Sequence, residues 1–450
     1  MNVMQFAARL WVARGSFVAL ALVACFVPWP TAGPVDGGPN RRAIARVAAE
    51  AERAPAPLRA GLAVASLVPP RPVPLAGYIG EIAQPFRGVN SPCRARCLTL
   101  DDGGTTVSIL AVDLLLVDDR LARALLARAG LGPDQVYFTA THTHSGPGGW
   151  GLHPLERLVS GTYDPEAFEF YVATLADVVL RSRRGLGPAE AAFARAECPG
   201  LQRNRIDPDL GTVDAVSAWV FRRPGGGTAA RPIATLAVFN AHATVGHPVP
   251  PRLGSDYPGA FAEALRGQVA AGEVLFAAGA VGDAAPVKPE VDGHQAAATR
   301  YGRELAAALA PAFADLSFRR DVPLRALTMT VDLPPAQYPF FAASLRFNPL
   351  LTWWVSDRRA RLQLLRLGPA VLVGFPGDYS GHLARQLRSP IPVVATSFAG
   401  DYKGYLVGAS VFRSRSTYET RRMNFFGPGL GDLLTDFAQG CLDRVLSGGR

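Results

Sequence analysis

Apolar residues recur along the chain with two different spacings, and the places where one gives way to the other predict its elements. The clearest case lies between residues 106 and 141. The run 106–117 is almost continuously apolar, 118–129 carries Leu121, Leu125 and Leu126 on one side of a helical repeat, and 136–141 returns to β-branched and aromatic residues. Strand, helix, strand in that order is a βαβ unit, and its crossover helix predicts a parallel pairing. Further strands are predicted at 216–222, 233–240, 274–278, 326–332, 370–375 and 393–398, and further helices at 167–182, 296–312 and 432–446. An apolar stretch at 62–67 opens the folded region, and Arg87, Asn90, Arg94 and Arg96 fall in an expected loop. The alternation predicts an α/β fold with a mixed, partly parallel central sheet and flanking helices, in a single catalytic-type domain over 61–450.

Ahead of that domain, Arg9 and Arg14 precede the apolar run 17–25, and Pro28, Pro30 and Pro34 follow it. A basic segment feeding a short apolar one reads residues 1–30 as an export signal or a membrane or lipid anchor. Leu22-Val23-Ala24-Cys25 resembles a bacterial lipoprotein signal box, in which Cys25 becomes the lipidated first residue. Each of these places the rest outside the cytoplasm: periplasmic, attached to a membrane through the N-terminus, or secreted. Residues 31–60, rich in Gly, Pro, Ala and Arg, read mainly as a spacer, with 44–54 compatible with a helix.

Composition narrows the class. A chain of 450 residues, 49% hydrophobic and 18% charged, can bury a large core. The formal charge of +9 invites a nucleic-acid partner, yet the only lysines are Lys288 and Lys403 and no basic run interleaved with aromatics stands out, so none is expected. The cysteines Cys93, Cys97, Cys198 and Cys441 permit up to two disulfides in an oxidising compartment, with Cys93 and Cys97 close enough for a bridge.

Chemistry enters where strands end. Thr141-His142-Thr143-His144-Ser145-Gly146-Pro147-Gly148-Gly149 follows the strand at 136–141, and in extended chain residues i and i+2 share a face, so both imidazoles would enter one cleft. The strand at 233–240 delivers His242, with His247 five residues on, and that at 370–375 leads to Asp378. Asp283 follows the short strand at 274–278, and Tyr405 lies on a later loop. Two imidazoles and a carboxylate form a ligand set for zinc with room for a water and a further weak oxygen ligand. Asp113 reads equally as a buried partner of this site or as a strand residue, and His294 as surface, cap or function. The aromatic stretch 339–354 reads as core, acyl-chain tunnel or membrane contact.

Taken together these motifs make residues 62–447 resemble the catalytic domain of the neutral ceramidase family, zinc-dependent amidases that release sphingosine and a fatty acid from ceramide. The likeness runs from Leu75-Ala76-Gly77-Tyr78 through the histidine motif to Phe425-Phe426-Gly427-Pro428. It implies Zn2+ held by His142, His242, Asp378 and Tyr405, with His144 as the catalytic neighbour, Arg205 near the scissile amide and Asp283 at the acidic position of a Gly-Asp-x-Ser-Pro motif. It also implies a lipid or other hydrophobic amide substrate and a membrane surface as partner. Two residues depart from the family pattern. The serine proposed as nucleophile falls on Ala285, and Asp378 stands where the pattern has glutamate. The chain therefore resembles shorter, diverged bacterial members, and a mechanism without serine is expected, in which metal-activated water attacks, His144 or Asp283 moves the proton and Arg205 stabilises the oxyanion. The alternatives are a metallohydrolase of another envelope amide or (phospho)ester, and a catalytically silent lipid- or metal-binding protein.

Overall fold

Among the described residues, three sheets of four or five strands, each containing one parallel pair, build a single α/β domain in the computed structural model, with three two-stranded ladders beside them. The structure describes residues 26–28, 38–47, 56–78, 84–152, 154–225, 232–246, 250–336, 345–348 and 358–446. In the first sheet β1 (Arg59–Ser66), β2 (Arg94–Asp101) and β3 (Thr106–Val112) are antiparallel neighbours, and β4 (Val136–Ala140) joins β3 in parallel. In the second, β5 (Glu190–Glu197), β6 (Ala215–Arg222) and β7 (Pro232–Phe239) are antiparallel and β8 (Glu273–Ala278) is parallel to β7. In the third, β9 (Leu324–Asp332), β10 (Arg359–Leu367) and β11 (Ala370–Gly374) are antiparallel and β12 (Val393–Thr396) is parallel to β11. The mixed, partly parallel β-structure read from the sequence is thus distributed mainly over three sheets.

Alternation along each strand explains the packing, because successive side chains leave opposite faces. The inner faces share one core containing Leu98, Ile109, Trp219, Leu236, Leu365 and Leu372. Helices cover the outer faces. The first sheet carries α2 (Asp119–Ala129) and α3 (Pro165–Arg184), the second α4 (Asp256–Gln268) and α5 (His294–Leu309), and the third α1 (Gly38–Arg46) and α6 (Leu430–Leu446). Asp118 caps α2 by accepting from the Leu121 N–H at 2.7 Å, and Gly130 ends it in left-handed backbone.

Contacts between sheets fix their relative placement. The Gln363 amide of β10 serves the edge of β4, accepting from Phe138 N at 2.9 Å and donating to Val136 O at 2.8 Å. The Tyr137 hydroxyl meets Thr396 Oγ1 at 2.6 Å, and Ser397 N donates to Ala278 O at 2.9 Å. The ends of the three parallel pairs are thereby tied together.

Several elements differ from expectation. Arg94 and Arg96 lie in β2 and not in a loop, and the Arg96 guanidinium, 7% exposed, is buried because Asp113 at 2.9 Å and Glu273 at 2.7 Å neutralise it. The apolar run at 106–117 leaves the sheet at Val112, and β10 and α4 were not anticipated. Within the stretch read as a spacer, α1 docks through Ile44 and Ala43, and Asn40 exchanges two hydrogen bonds with the backbone of Asp332, at 3.1 and 3.0 Å. Phe26–Pro28 pairs antiparallel with Leu345–Phe347. Cys93, Cys97, Cys198 and Cys441 are buried free thiols, so neither permitted bridge is formed. The leader with Cys25, His247 and most of the aromatic stretch, Trp353 and Trp354 included, lie outside the described residues. Among the described residues no helix is long and apolar enough to cross a membrane.

Candidate metal centre

The chain leaves β4 at Ala140, and His142 takes left-handed backbone with φ 58°. Such a conformation costs a residue with a Cβ roughly 1–3 kcal/mol. The two histidines of the motif therefore do not share a face of an extended strand, as the spacing predicts. They meet because His142 turns back, which sets the His142 and His144 Nε2 atoms 3.2 Å apart with their rings nearly perpendicular at 89°.

Backbone carbonyls orient both rings. His142 Nδ1 lies 2.8 Å from Leu115 O, and His144 Nδ1 lies 3.1 Å from Gly77 O. A carbonyl only accepts, so Nδ1 bears the proton in each neutral ring and the Nε2 lone pair faces inward. Gly77 is required here: its φ is 118°, and a Cβ would come within 2.6 Å of the His144 ring.

His242 arrives from the exit of β7, its N–H donating to Ala284 O at 3.2 Å. Asp378 and Tyr405 come as a pair, because Asp378–Tyr379 and Tyr405–Leu406 form a short parallel ladder in which these two residues are in register. His242 Nε2 lies 3.2 Å from Asp378 Oδ1, 3.1 Å from the Tyr405 hydroxyl and 3.2 Å from the Arg205 guanidinium. Asp378 Oδ1 is also 3.5 Å from His142 Nε2.

These residues fit a divalent cation. Ligand nitrogens of His142, His144 and His242 all lie within 4.8 Å of one another. Asp378 is fully buried, and its Oδ1 has no hydrogen-bond partner although it faces two imidazoles. An unsatisfied buried carboxylate oxygen is costly unless a cation meets it. Ligand bonds of about 2.0–2.1 Å in a tetrahedron separate neighbouring ligand atoms by about 3.3 Å, close to the two imidazole–carboxylate distances here. Burial, and then the neighbouring imidazoles, hold His142 well below the ordinary histidine range, while burial and the Arg205 charge do the same for His242. Both rings are thus neutral ligands near neutral pH. Burial also pushes the Asp378 carboxyl up and the Tyr405 hydroxyl well up.

Arg205 completes the inner group. Its Nη2 donates to the Tyr405 hydroxyl at 2.8 Å, and its Nε pairs with Glu419 at 2.9 Å. Asp283 lies beside this group, against the turn that follows Asp378–Tyr379. Its carboxylate accepts from Asn204 Nδ2 at 3.2 Å, Ser380 Oγ at 2.6 Å, Gly381 N at 2.7 Å and His382 N at 3.1 Å, so it anchors the turn that follows Asp378–Tyr379. Ala285, half-buried, pairs with Arg203 in the short ladder between Ala284–Pro286 and Gln202–Asn204. Asp113 accepts from Arg94 N and Arg96 and thereby steadies the segment that carries Leu115. His294 starts α5, apart from this group.

Sequence reading missed Phe398, Tyr402, Tyr418 and Glu419. Phe398 stacks on His142, the Tyr402 hydroxyl donates to Asp378 Oδ2 at 2.9 Å, and the Tyr418 ring lies 5.9 Å from that of Tyr405. The one available signal was their order around the Gly400-Asp401-Tyr402-Lys403-Gly404-Tyr405 loop, which Phe398 just precedes, which contains Tyr402 and which Tyr418 and Glu419 follow.

Residues 69–207 match the family described as neutral/alkaline non-lysosomal ceramidase, N-terminal. That stretch contains His142, His144 and Arg205. A neutral ceramidase from Mycobacterium tuberculosis (strain ATCC 25618 / H37Rv) is 27% identical over 139 residues, a match covering 29% of this chain and 22% of the relative. The fold is similar to that of neutral ceramidase from Pseudomonas aeruginosa, with a TM-score of 0.71 at 18% identity, covering 87% of this chain and 74% of that one. A ceramidase structure described as complexed with C2 gives a TM-score of 0.71 at 17% identity, over 87% of this chain and 75% of the other. The chain therefore has a ceramidase-type fold and distant homology to bacterial ceramidases, with a histidine cluster able to coordinate a metal.

Proposed function

We propose that this chain is a zinc-dependent hydrolase that cleaves the carboxamide bond of a ceramide-like or other lipid substrate with metal-activated water. The observation that carries the reading is the Asp378 Oδ1 atom, buried without a hydrogen bond between His142 and His242. Zinc, when bound there, supplies a water of lowered pKa, roughly 7, and polarises the substrate carbonyl.

The chain's own residues supply the rest. His142, His242 and Asp378 hold the metal with Tyr405 as a further oxygen ligand. His144, oriented by Gly77 O, takes the proton at Nε2 and returns it to the leaving amine. Arg205, held by Glu419, presents its guanidinium to oxyanion charge. Asp283 positions the Asp378 segment. A lipid substrate is favoured by the family match and by the aromatic composition of 339–354, and the leader composition favours an extracytoplasmic, membrane-proximal site of action.

Ala285 favours a second reading, a silent lipid- or metal-binding protein. A zinc-dependent hydrolysis assay on short- and long-chain ceramides, with His142→Ala as the paired control, separates the two. Product release by the parent protein and its loss in the variant are expected. Stoichiometric zinc with no release from any lipid amide or ester would overturn the hydrolase reading in favour of binding.

A further inference from the structure

We infer that Tyr402 positions Asp378 as a one-oxygen ligand: its hydroxyl holds Oδ2 and so leaves Oδ1 alone turned toward His142 and His242. This inference rests on the metal-site reading above. The terminal torsion of an aspartate is broad and roughly two-fold, so nothing in the side chain itself distinguishes its two oxygens. Tyr402 breaks that symmetry. An ionised carboxylate only accepts, so the 2.9 Å contact is a hydrogen bond from the tyrosine hydroxyl to Oδ2. Oδ1, in contrast, has no donor and lies 3.5 and 3.2 Å from the two imidazole nitrogens.

Tyr402 is itself fixed. Its N–H donates to Asp401 Oδ1 at 2.8 Å, and the same oxygen pairs with Lys403 Nζ at 3.0 Å. Asp401 Oδ2 accepts from Arg361 N in β10 at 3.0 Å, which ties the loop to the third sheet. One loop thus touches three of the inferred ligands: Phe398 stacks on His142, Tyr402 holds Asp378, and the Tyr405 hydroxyl meets His242. Aspartate has one methylene less than the glutamate of the family pattern, so a misaimed carboxylate has less tether with which to recover. An external donor on Oδ2 is correspondingly important.

The test measures zinc affinity of the full-length protein by competition with a chromogenic chelator, together with thermal unfolding of the metal-free form. Tyr402→Phe is expected to weaken zinc binding by about 10–100-fold, as loss of a hydrogen bond behind a metal ligand does. The metal-free protein should also unfold at a somewhat lower temperature, because the same substitution leaves Oδ2 of the buried carboxylate without its donor, so the zinc affinities and not the unfolding temperature decide the assignment. Asp378→Asn should weaken zinc further, and adding Tyr402→Phe to it should change affinity by less than about twofold, because the hydroxyl acts only through the carboxylate. Tyr402→Phe with parental zinc affinity, or a full additional loss in the double variant, would overturn the assignment. The underlying reading fails separately, if the parent protein binds no zinc or if His142→Ala and His242→Ala bind it as well as the parent. Should Tyr402→Phe not fold, Tyr402→His, whose imidazole N–H can replace the donor, must retain tighter binding than Tyr402→Leu, and equal affinities for the two would refute the inference.

Discussion

The rings of Phe398 and His142 lie face to face, 4.1 Å between centroids and 11° from parallel, and both residues hold left-handed backbone, with φ of 62° and 58°. Two side chains in an uncommon conformation support one another, each from the exit of a strand that is half of a parallel pair. Phe398 is fully buried, so Phe398→Ala should cost roughly 3–5 kcal/mol in denaturant unfolding. Zinc affinity should fall as well, since His142 loses the plane it rests on. Parental affinity in a folded Phe398→Ala protein would show that Leu115 O alone sets the ring.

His144 separates ligation from proton transfer. His142→Ala and His242→Ala are expected to abolish both zinc binding and hydrolysis. His144→Gln should retain zinc while its rate falls by about 10²–10⁴, the usual worth of a positioned acid–base group. Metal content measured beside turnover decides the matter, and loss of zinc from His144→Gln would make it a third ligand.

Restoring the missing hydroxyl tests the serine-free mechanism. With Arg205 and the histidine cluster in place, Ala285→Ser should change the rate on ceramide by less than about tenfold, which is small on the scale of a lost nucleophile. A silent parent protein that Ala285→Ser renders active would assign the nucleophile to that position and reject attack by water.

Gly282 is packed against the ligand strand, where an added Cβ would stand 2.3 Å from Asp378 O, a backbone atom that cannot swing away. Gly282→Ala is expected to displace Asp378, lowering zinc affinity at least tenfold. Unaltered affinity in a soluble, folded Gly282→Ala protein would mean that the ladder slides without cost.

Asp256 predicts a pH effect away from the metal. Burial pushes its carboxyl up to about 6 from 3.8, against the hydrogen bonds it accepts from Tyr257 N and Gly246 N. Because the folded value exceeds the unfolded one, the group's stabilising contribution is complete below about pH 4 and is lost as pH rises through about 6, a swing of about 3 kcal/mol. Urea unfolding at pH 4.5 and 6.5 should show a smaller downward change for Asp256→Asn than for the parent. Identical slopes would place the titration elsewhere.

The elements legible in sequence were those whose burial is written locally. The run from Thr106 to Ala140 declares a parallel unit by its own periodicity, and the ends of β4, β7 and β11 point to His142, His242 and Asp378. What escaped depends on distant partners. Arg96 reads as loop because nothing nearby announces that Asp113 and Glu273 will neutralise it. The polar and basic residues of Arg359–Leu367 hide a central strand whose Gln363 is spent on the edge of β4. Pro258 and Gly259 suggest a turn, although Pro is tolerated in the first turn of a helix, and α4 begins there. Asp283 sits beside the site as expected, but its four donors come from Asn204 and the Ser380–His382 turn, which no spacing rule connects to it.

Each large sheet contributes one proposed ligand from the end of a parallel pair, so a fragment lacking a sheet is expected not to assemble the centre. Parallel strands are joined by long crossovers, and their closure entropy must be met before the contacts form. A metal that recognises only the finished arrangement would leave the rate of refolding nearly unchanged and would slow escape from the native state. Chelation would then shorten the lifetime of the folded protein, and resistance to proteolysis over hours would report on metal supply.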